Sequence, residues 1–287
     1  MINEDGKDQG TRKATLADQE NNKDMYYQEI YSVLERAFQD TFIEELVPGI
    51  VHNFANPLNG IMGRARLLQR KLTDIMKKAD VEKDKSYQEN NEKLVRDVDS
   101  IAREADRLSV ILQTVMGKFC AIGDRTAQKV NLSELIELEM RFFDFYLDFR
   151  HSVKKTLQLD KELPEVRGSP ADYSLAFSAL IRYATVAMKD SAPKELYIST
   201  QLENGKICVK IQNRGVPLSD DLKRLLLDEV QGYAPSLGGT GERALLCAFS
   251  LLRKWGAGFD IRRENGLNTF IVLMPFYQAK NEFGDYS

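Results

Sequence analysis

Apolar residues recur at Ile50, Phe54, Leu58, Ile61, Ala65, Leu68, Leu72 and Ile75, in steps of three and four. That spacing predicts a long helix with one apolar face. A second run, Leu94, Val98, Ile101, Ala105, Leu108, Leu112, Val115 and Phe119, alternates fours and threes without a break, as the seam of a helical bundle does. A shorter pattern precedes both from Met25, with Ile30, Leu34, Phe38, Phe42 and Leu46 at four-residue steps. A charged turn over residues 80–92 joins the two long helices, which predicts an antiparallel hairpin. Pro48 and Pro57 fall inside helical patterns, where each removes a backbone donor and favours a kink. A lone hairpin leaves its apolar face half covered, so pairing of two copies into a four-helix bundle is expected.

Beyond a linker at 123–128 the period changes. Residues 132–149 read as a helix with Asn131 or Ser133 as its cap, and 153–159 alternate as a strand. A second helix is predicted over 172–189 and a third over 241–255. The strands at 196–202 and 207–211 are joined through Asn204-Gly205, and those at 259–263 and 269–273 through Asn265-Gly266; Asn-Gly is a strong hairpin signal. Three helices on one face of a mixed sheet make an α+β sandwich. The expected organisation is a disordered leader (1–24), a helical domain (25–122), an α/β sandwich (129–277) and a tail (278–287).

A length of 287 residues fits two domains, and 43% hydrophobic residues are enough to give each a core. The net charge of -3, with both signs interspersed, excludes the basic footprint of a nucleic-acid binder. Cys120, Cys208 and Cys247 lack metal-ligand spacing and are expected to be buried, inert thiols in a reducing cytoplasm. No signal peptide is expected in the polar residues 1–24, and no apolar run approaches the ~20 residues of a membrane span.

The chemistry concentrates at His52, one of two histidines in the chain. It lies off the apolar stripe, with Asn56 and Asn59 one and two turns further along, so a nucleophilic imidazole is expected on the solvent side beside two amides. His151, at a predicted helix end without a partner motif, is given no catalytic role. The run Val51-His52-Asn53-Phe54-Ala55-Asn56-Pro57-Leu58 resembles the phospho-acceptor box of two-component sensor histidine kinases, usually His-Glu-x-x-Asn-Pro-Leu. The resemblance implies that His52 accepts a phosphoryl group. It also implies that Asn56 positions water or a receiver domain, and that Asn53 stands where an acid is usual.

The later helix–strand order resembles the ATP-binding domain shared by histidine kinases, gyrase and Hsp90-type ATPases. Its boxes are altered here. Tyr183 in Tyr183-Ala184-Thr185-Val186-Ala187-Met188 replaces the asparagine that would hold magnesium. Asn213 in Asn213-Arg214-Gly215-Val216-Pro217 replaces the aspartate that would meet adenine, and Pro217 replaces a glycine. In Gly239-Thr240-Gly241-Glu242-Arg243-Ala244 two glycines survive, Glu242 brings negative charge to the phosphate side, and Arg243 offsets part of it. Residues 218–238 stand in place of the ATP lid.

Several readings follow. One is a dimeric phosphotransferase or phosphatase that exchanges phosphoryl groups between His52 and a receiver aspartate, with magnesium supplied by the receiver and no metal site of its own. Another is an ATP- and magnesium-dependent kinase with an atypical site. A third is a scaffold or antikinase that docks on a kinase or receiver.

Overall fold

The computed structural model describes residues 5–78, 86–228 and 239–276. Helix α1 (Asp5–Thr41) passes through a π-helical segment (Phe42–Leu46) into α2 (Val47–Lys78). The leader expected to be disordered to residue 24 is therefore helical from Asp5. Its Lys, Gln, Glu and Ala residues are good helix formers that extend a helix already nucleated downstream. The expected tail, 278–287, lies outside the described residues. The π segment falls just before Pro48, which has no N–H to offer the Glu44 carbonyl; a wider turn accommodates that lost bond. Pro57 lies within α2. With α3 (Ser86–Gly123), α2 forms the expected hairpin, tied across by Lys71–Asp97 and Arg64–Glu104 ion pairs.

The second half of the chain is the α+β layout. A two-stranded antiparallel sheet pairs β1 (Gln128–Val130) with β3 (Val166–Gly168). The main sheet contains β2 (Lys154–Leu159), β4 (Glu195–Glu203), β5 (Lys206–Asn213), β6 (Gly258–Glu264) and β7 (Leu267–Met274), in the order β2-β4-β5-β7-β6. Only the β2–β4 pair is parallel. Both Asn-Gly hairpins form, with positive φ at Asn204 (50°), Gly205 (71°), Asn265 (51°) and Gly266 (77°), which is the type I′ geometry that matches strand twist. The helices are α4 (Leu132–Phe143), α5 (Leu147–Ser152), α6 (Pro170–Ala187), α7 (Asp220–Leu227) and α8 (Thr240–Lys254). Asn131 caps α4 by accepting from the Ser133 and Glu134 amides.

The expected 132–149 helix is broken. Residues 144–146 turn between α4 and α5, so that Phe142 and Phe145 join Leu46 in a small core of their own, flanked by Ile50, Ile111 and Val115. That turn sets the α/β domain against the base of the hairpin.

The main core lies between the sheet and α4, α6 and α8, and α1 completes it. Ile30 and Leu34 of α1 are buried there. Tyr31 donates to Asp172 of α6, which also accepts from Lys254 Nζ (2.9 Å) and Trp255 Nε1 (2.7 Å) at the end of α8. Tyr26 donates to Ser250 (3.1 Å), and Glu35–Arg125 and Glu45–Arg182 ion pairs flank these contacts. Residues 25–46, grouped by sequence with the helical domain, thus pack on the α/β domain. A second tie runs from α3, where the fully buried Lys118 donates to both Glu139 oxygens (2.8 and 2.7 Å) and to Ser174 (2.8 Å). The Lys118 ammonium also lies 5.1 Å from the Phe38 ring centre. α3, α4, α6 and α1 therefore meet at one ammonium group.

Candidate functional site

Two sets of side chains carry chemistry, and they line different cavities. The first is on α2. His52 and Asn56 are exposed and one turn apart, while Pro57 is buried. Asn56 Nδ2 stands 3.5 Å from His52 Nδ1, the outer limit of a hydrogen bond. Asn53 is half-buried, and its Oδ1 accepts from Nη1 of Arg150 at 2.8 Å. An open groove of about 870 Å³ has Asn53, Asn56, Pro57, Val110, Thr114 and Arg150 among its walls, and His52 is not one of them.

One close approach between the domains and one packing contact within the α/β domain shape this site. A Cβ at Gly49, one turn before His52, would lie 1.5 Å from the Phe145 carbonyl oxygen, so glycine permits the close approach of the 144–146 turn to α2. Phe149 of α5 is fully buried against Phe143, 5.7 Å between ring centres, which directs its neighbour Arg150 outward.

The second set surrounds α6 and the start of α8. The Tyr183 ring stands edge-on to Phe270, 6.1 Å between centres. Burial pushes its hydroxyl pKa up, and the Glu242 charge adds to that. Asn213 is buried, and neither of its amide atoms has a partner among the described residues. Gly215 is packed so closely that a Cβ would meet the Asn213 amide nitrogen at 2.5 Å and the Ala187 carbonyl oxygen at 2.6 Å. The Gly239 N–H donates to the Glu242 carboxylate (3.2 Å), so α8 begins with its own side chain over its first turn.

Gly241 is exposed and, with Tyr183, Gly239 and Glu242, lines a cavity of about 510 Å³ closed on its far side by α1 and the π segment. Asp40, Glu44, Glu45 and Glu242 face it with Arg182 as the cation, which makes it acidic. Arg243 lines a neighbouring recess of about 480 Å³ with Glu29, Arg36 and Asp40 of α1. Asn213 and Gly215 line none of these cavities. In place of the ATP lid, residues 220–227 form α7, and 229–238 lie outside the described residues.

Sequence reasoning missed Arg150 and Gly49, which carry no local motif. Of the cysteines expected to be buried, Cys208 and Cys247 are, but Cys120 is exposed on α3. Its place late in the α3 pattern puts it on the outer face. Among the described residues no three His, Cys, Asp or Glu side chains cluster to hold a metal, and no helix is long and apolar enough to cross a membrane.

An exposed histidine on a helical hairpin, joined to an α/β sandwich of the histidine-kinase ATPase type, defines a histidine-kinase-like architecture. Two known proteins resemble the chain in sequence at low identity. The chain is 24% identical over 241 residues to the sensory histidine kinase/phosphatase NtrB of Vibrio alginolyticus, covering 80% of this chain and 61% of that protein. It is 24% identical over 248 residues to NtrB of Azospirillum brasilense, covering 82% and 56%. The chain therefore spans 61% and 56% of the length of these relatives.

Among solved structures, the catalytic domain of histidine kinase ThkA aligns over 52% of this chain and 97% of its own (18% identity, TM-score 0.43). Acinetobacter baumannii histidine kinase AdeS aligns over 75% and 96% (14%, 0.40). A bacterial phosphotransferase aligns over 79% and 93% (13%, 0.39). No family model matches the chain. In sequence the chain is thus similar to sensory histidine kinases.

Proposed function

We propose that this protein exchanges phosphoryl groups between His52 and a receiver aspartate, and that its α/β domain does not deliver phosphate from ATP. The observation that carries this reading is the exposed His52–Asn56 pair, whose Asn56 lines an open groove. The His52 Nε2 lone pair attacks the phosphorus of the receiver's aspartyl phosphate. A P–N bond forms as the P–O bond breaks, and the leaving electron pair returns to the aspartate carboxylate. A half-turn of the Asn56 amide sets its Oδ1 toward an Nδ1–H, the tautomer that leaves Nε2 free to attack. Without transfer to His52, the same amide orients water against the aspartyl phosphate. Magnesium in this scheme comes with the receiver.

Magnesium–ATP fits the second site poorly. The Glu242 carboxylate occupies the start of α8, where a phosphate needs backbone N–H groups, and a neutral phenol at Tyr183 is a weak magnesium ligand. Carboxylates crowd the cavity between them. Pairing of two hairpins is part of the reading. Leu58, Met62 and Leu72 on α2, with Val98, Leu112 and Met116 on α3, are between 44% and 58% exposed in one chain. A second copy gives that face a partner.

Incubation with a phosphorylated receiver and with labelled ATP tests the reading. Gain or loss of receiver phosphate that disappears in His52→Ala is expected, with no label from ATP. ATP-derived label on the wild type but not on His52→Ala would restore a kinase. Silence in both arms would leave a docking protein.

A further inference from the structure

We propose that Arg150, carried on α5 of the α/β domain, binds the phosphoryl group that is exchanged at His52. This rests on the phosphotransfer reading and adds to it a second domain acting in the chemistry. Arg150 Nη1 donates to Asn53 Oδ1 at 2.8 Å, one residue from His52, and its side chain lines the same groove as Asn53 and Asn56. The other cations near this groove each have a carboxylate partner: Arg107 has Glu104, which it shares with Arg64, Arg141 has Glu137, which it shares with Lys161, and Lys155 has Asp144. The Arg150 side chain forms no ion pair among the described residues, and its one hydrogen-bond partner there is a neutral amide.

The identity of residue 53 matters for this reason. An aspartate or glutamate would hold the guanidinium as well as asparagine does but would cancel its charge. Asn53 holds it and leaves the charge available. One of the five guanidinium N–H donors is used, and the rest suit the forked recognition of phosphoryl oxygens. The placement is rigid, through buried Phe149 beside it and through the Gly49–Phe145 approach one turn before His52.

When phosphorus passes between His52 Nε2 and a leaving group, the aspartate oxygen of a receiver or the nitrogen of phosphoramidate that departs as ammonia, charge spreads over its three peripheral oxygens. A preorganised cation there stabilises the transition state. Arg150 makes and breaks no covalent bond in this step.

The test uses phosphoramidate as donor, because it needs no docked receiver. Wild type, Arg150→Gln, Arg150→Lys, Arg150→Ala and Asn53→Asp are incubated with it under saturating conditions. The readout is the single-turnover gain of one acid-labile phosphoryl group on His52, with thermal melting run in parallel. Arg150→Gln and Asn53→Asp are each expected to lower the maximal rate by about 100-fold, the scale for losing one preorganised donor. Arg150→Lys recovers part of the rate, and added guanidinium ion restores Arg150→Ala.

Equal maximal rates in wild type and Arg150→Gln, or a loss that Arg150→Lys and guanidinium fail to rescue, would overturn the proposal and leave Arg150 as a tether between domains. A wild type that takes no label on His52 would sink the phosphotransfer reading itself, which is a separate and visible outcome. Asn53→Asp keeps the question decidable if the Arg150 variants melt early.

Discussion

Replacing Lys118 by methionine tests what joins the helical hairpin to the α/β domain. The change keeps chain length and removes one ammonium group. Both Lys118 and Glu139 are fully buried, and the ammonium makes three hydrogen bonds at 2.7–2.8 Å. Burial pulls the lysine pKa down while Glu139 opposes that shift. In Lys118→Met the Glu139 carboxylate stays buried, and its remaining partner among the described residues is the Ser174 hydroxyl at 2.6 Å.

Breaking one side of such a pair costs ~3–5 kcal/mol. For a protein of this size that is a fall of roughly 6–20 °C in melting temperature, at about 2–4 °C per kcal/mol. Removing both charges with Lys118→Met/Glu139→Leu leaves no charge unpaired and is expected to come within about 1 kcal/mol of wild type. Urea unfolding followed by circular dichroism and by tryptophan fluorescence measures both variants, since the single tryptophan, Trp255, reports on the α8 end. A single variant that loses less than about 1 kcal/mol, or a double variant as unstable as the single, would refute the reasoning.

Three further outcomes follow from other contacts. Gly49→Ala places a Cβ 1.5 Å from backbone oxygen; to reach ordinary contact of about 3.5 Å the 144–146 turn must retreat by about 2 Å, at a cost of ~1–3 kcal/mol. The retreat also draws Arg150 from Asn53, so labelling by phosphoramidate should slow as well. Tyr31→Phe removes a donor from buried Asp172, which keeps Lys254 and Trp255; a loss of about 1.5–3 kcal/mol is expected in urea unfolding.

Thiol labelling at pH 8 should reach Cys120 quickly and Cys208 and Cys247 only on unfolding, because those two are buried. Burial pushes the Cys208 thiol from 9.0 up to about 11. The folded pKa is the higher one, so this contribution is intact below pH 9 and is lost as pH rises through about 11. A melting temperature that rises over that window would contradict it.

Much of the architecture was legible in the sequence because its long helices and tight hairpins have strong local signatures. The stripes on α2 and α3 run for many turns, and each Asn-Gly pair names a turn that needs two positive φ angles. The seat of α1 was not legible. Ile30 and Leu34 announce that one face is buried but not against what, and Tyr31 finds Asp172 at a distance of 141 residues along the chain.

The same limit divides the candidate site. His52 and Asn56 are neighbours by helical spacing, so their pairing could be read directly. Asn53 and Arg150 are 97 residues apart, and nothing local links an unremarkable arginine after Phe149 to an asparagine on α2. Strands β1 and β3 and helix α5 are too short to establish a period, and the break at 144–146 follows from packing of Phe142 and Phe145 on Leu46.

The docking of α1 also sets an order of events during synthesis. Tyr26 and its partner Ser250 are 224 residues apart, and Tyr31 and Lys254 are 223 apart. The helix made first therefore finds its counterpart in one made more than 220 residues later. Until then Ile30 and Leu34 present an uncovered apolar stripe, and the core of the second domain lacks one wall. Contacts of such long sequence separation close late and slowly. A nascent chain stalled before α8 should therefore present this stripe to chaperones, and emergence of α8 should bury it.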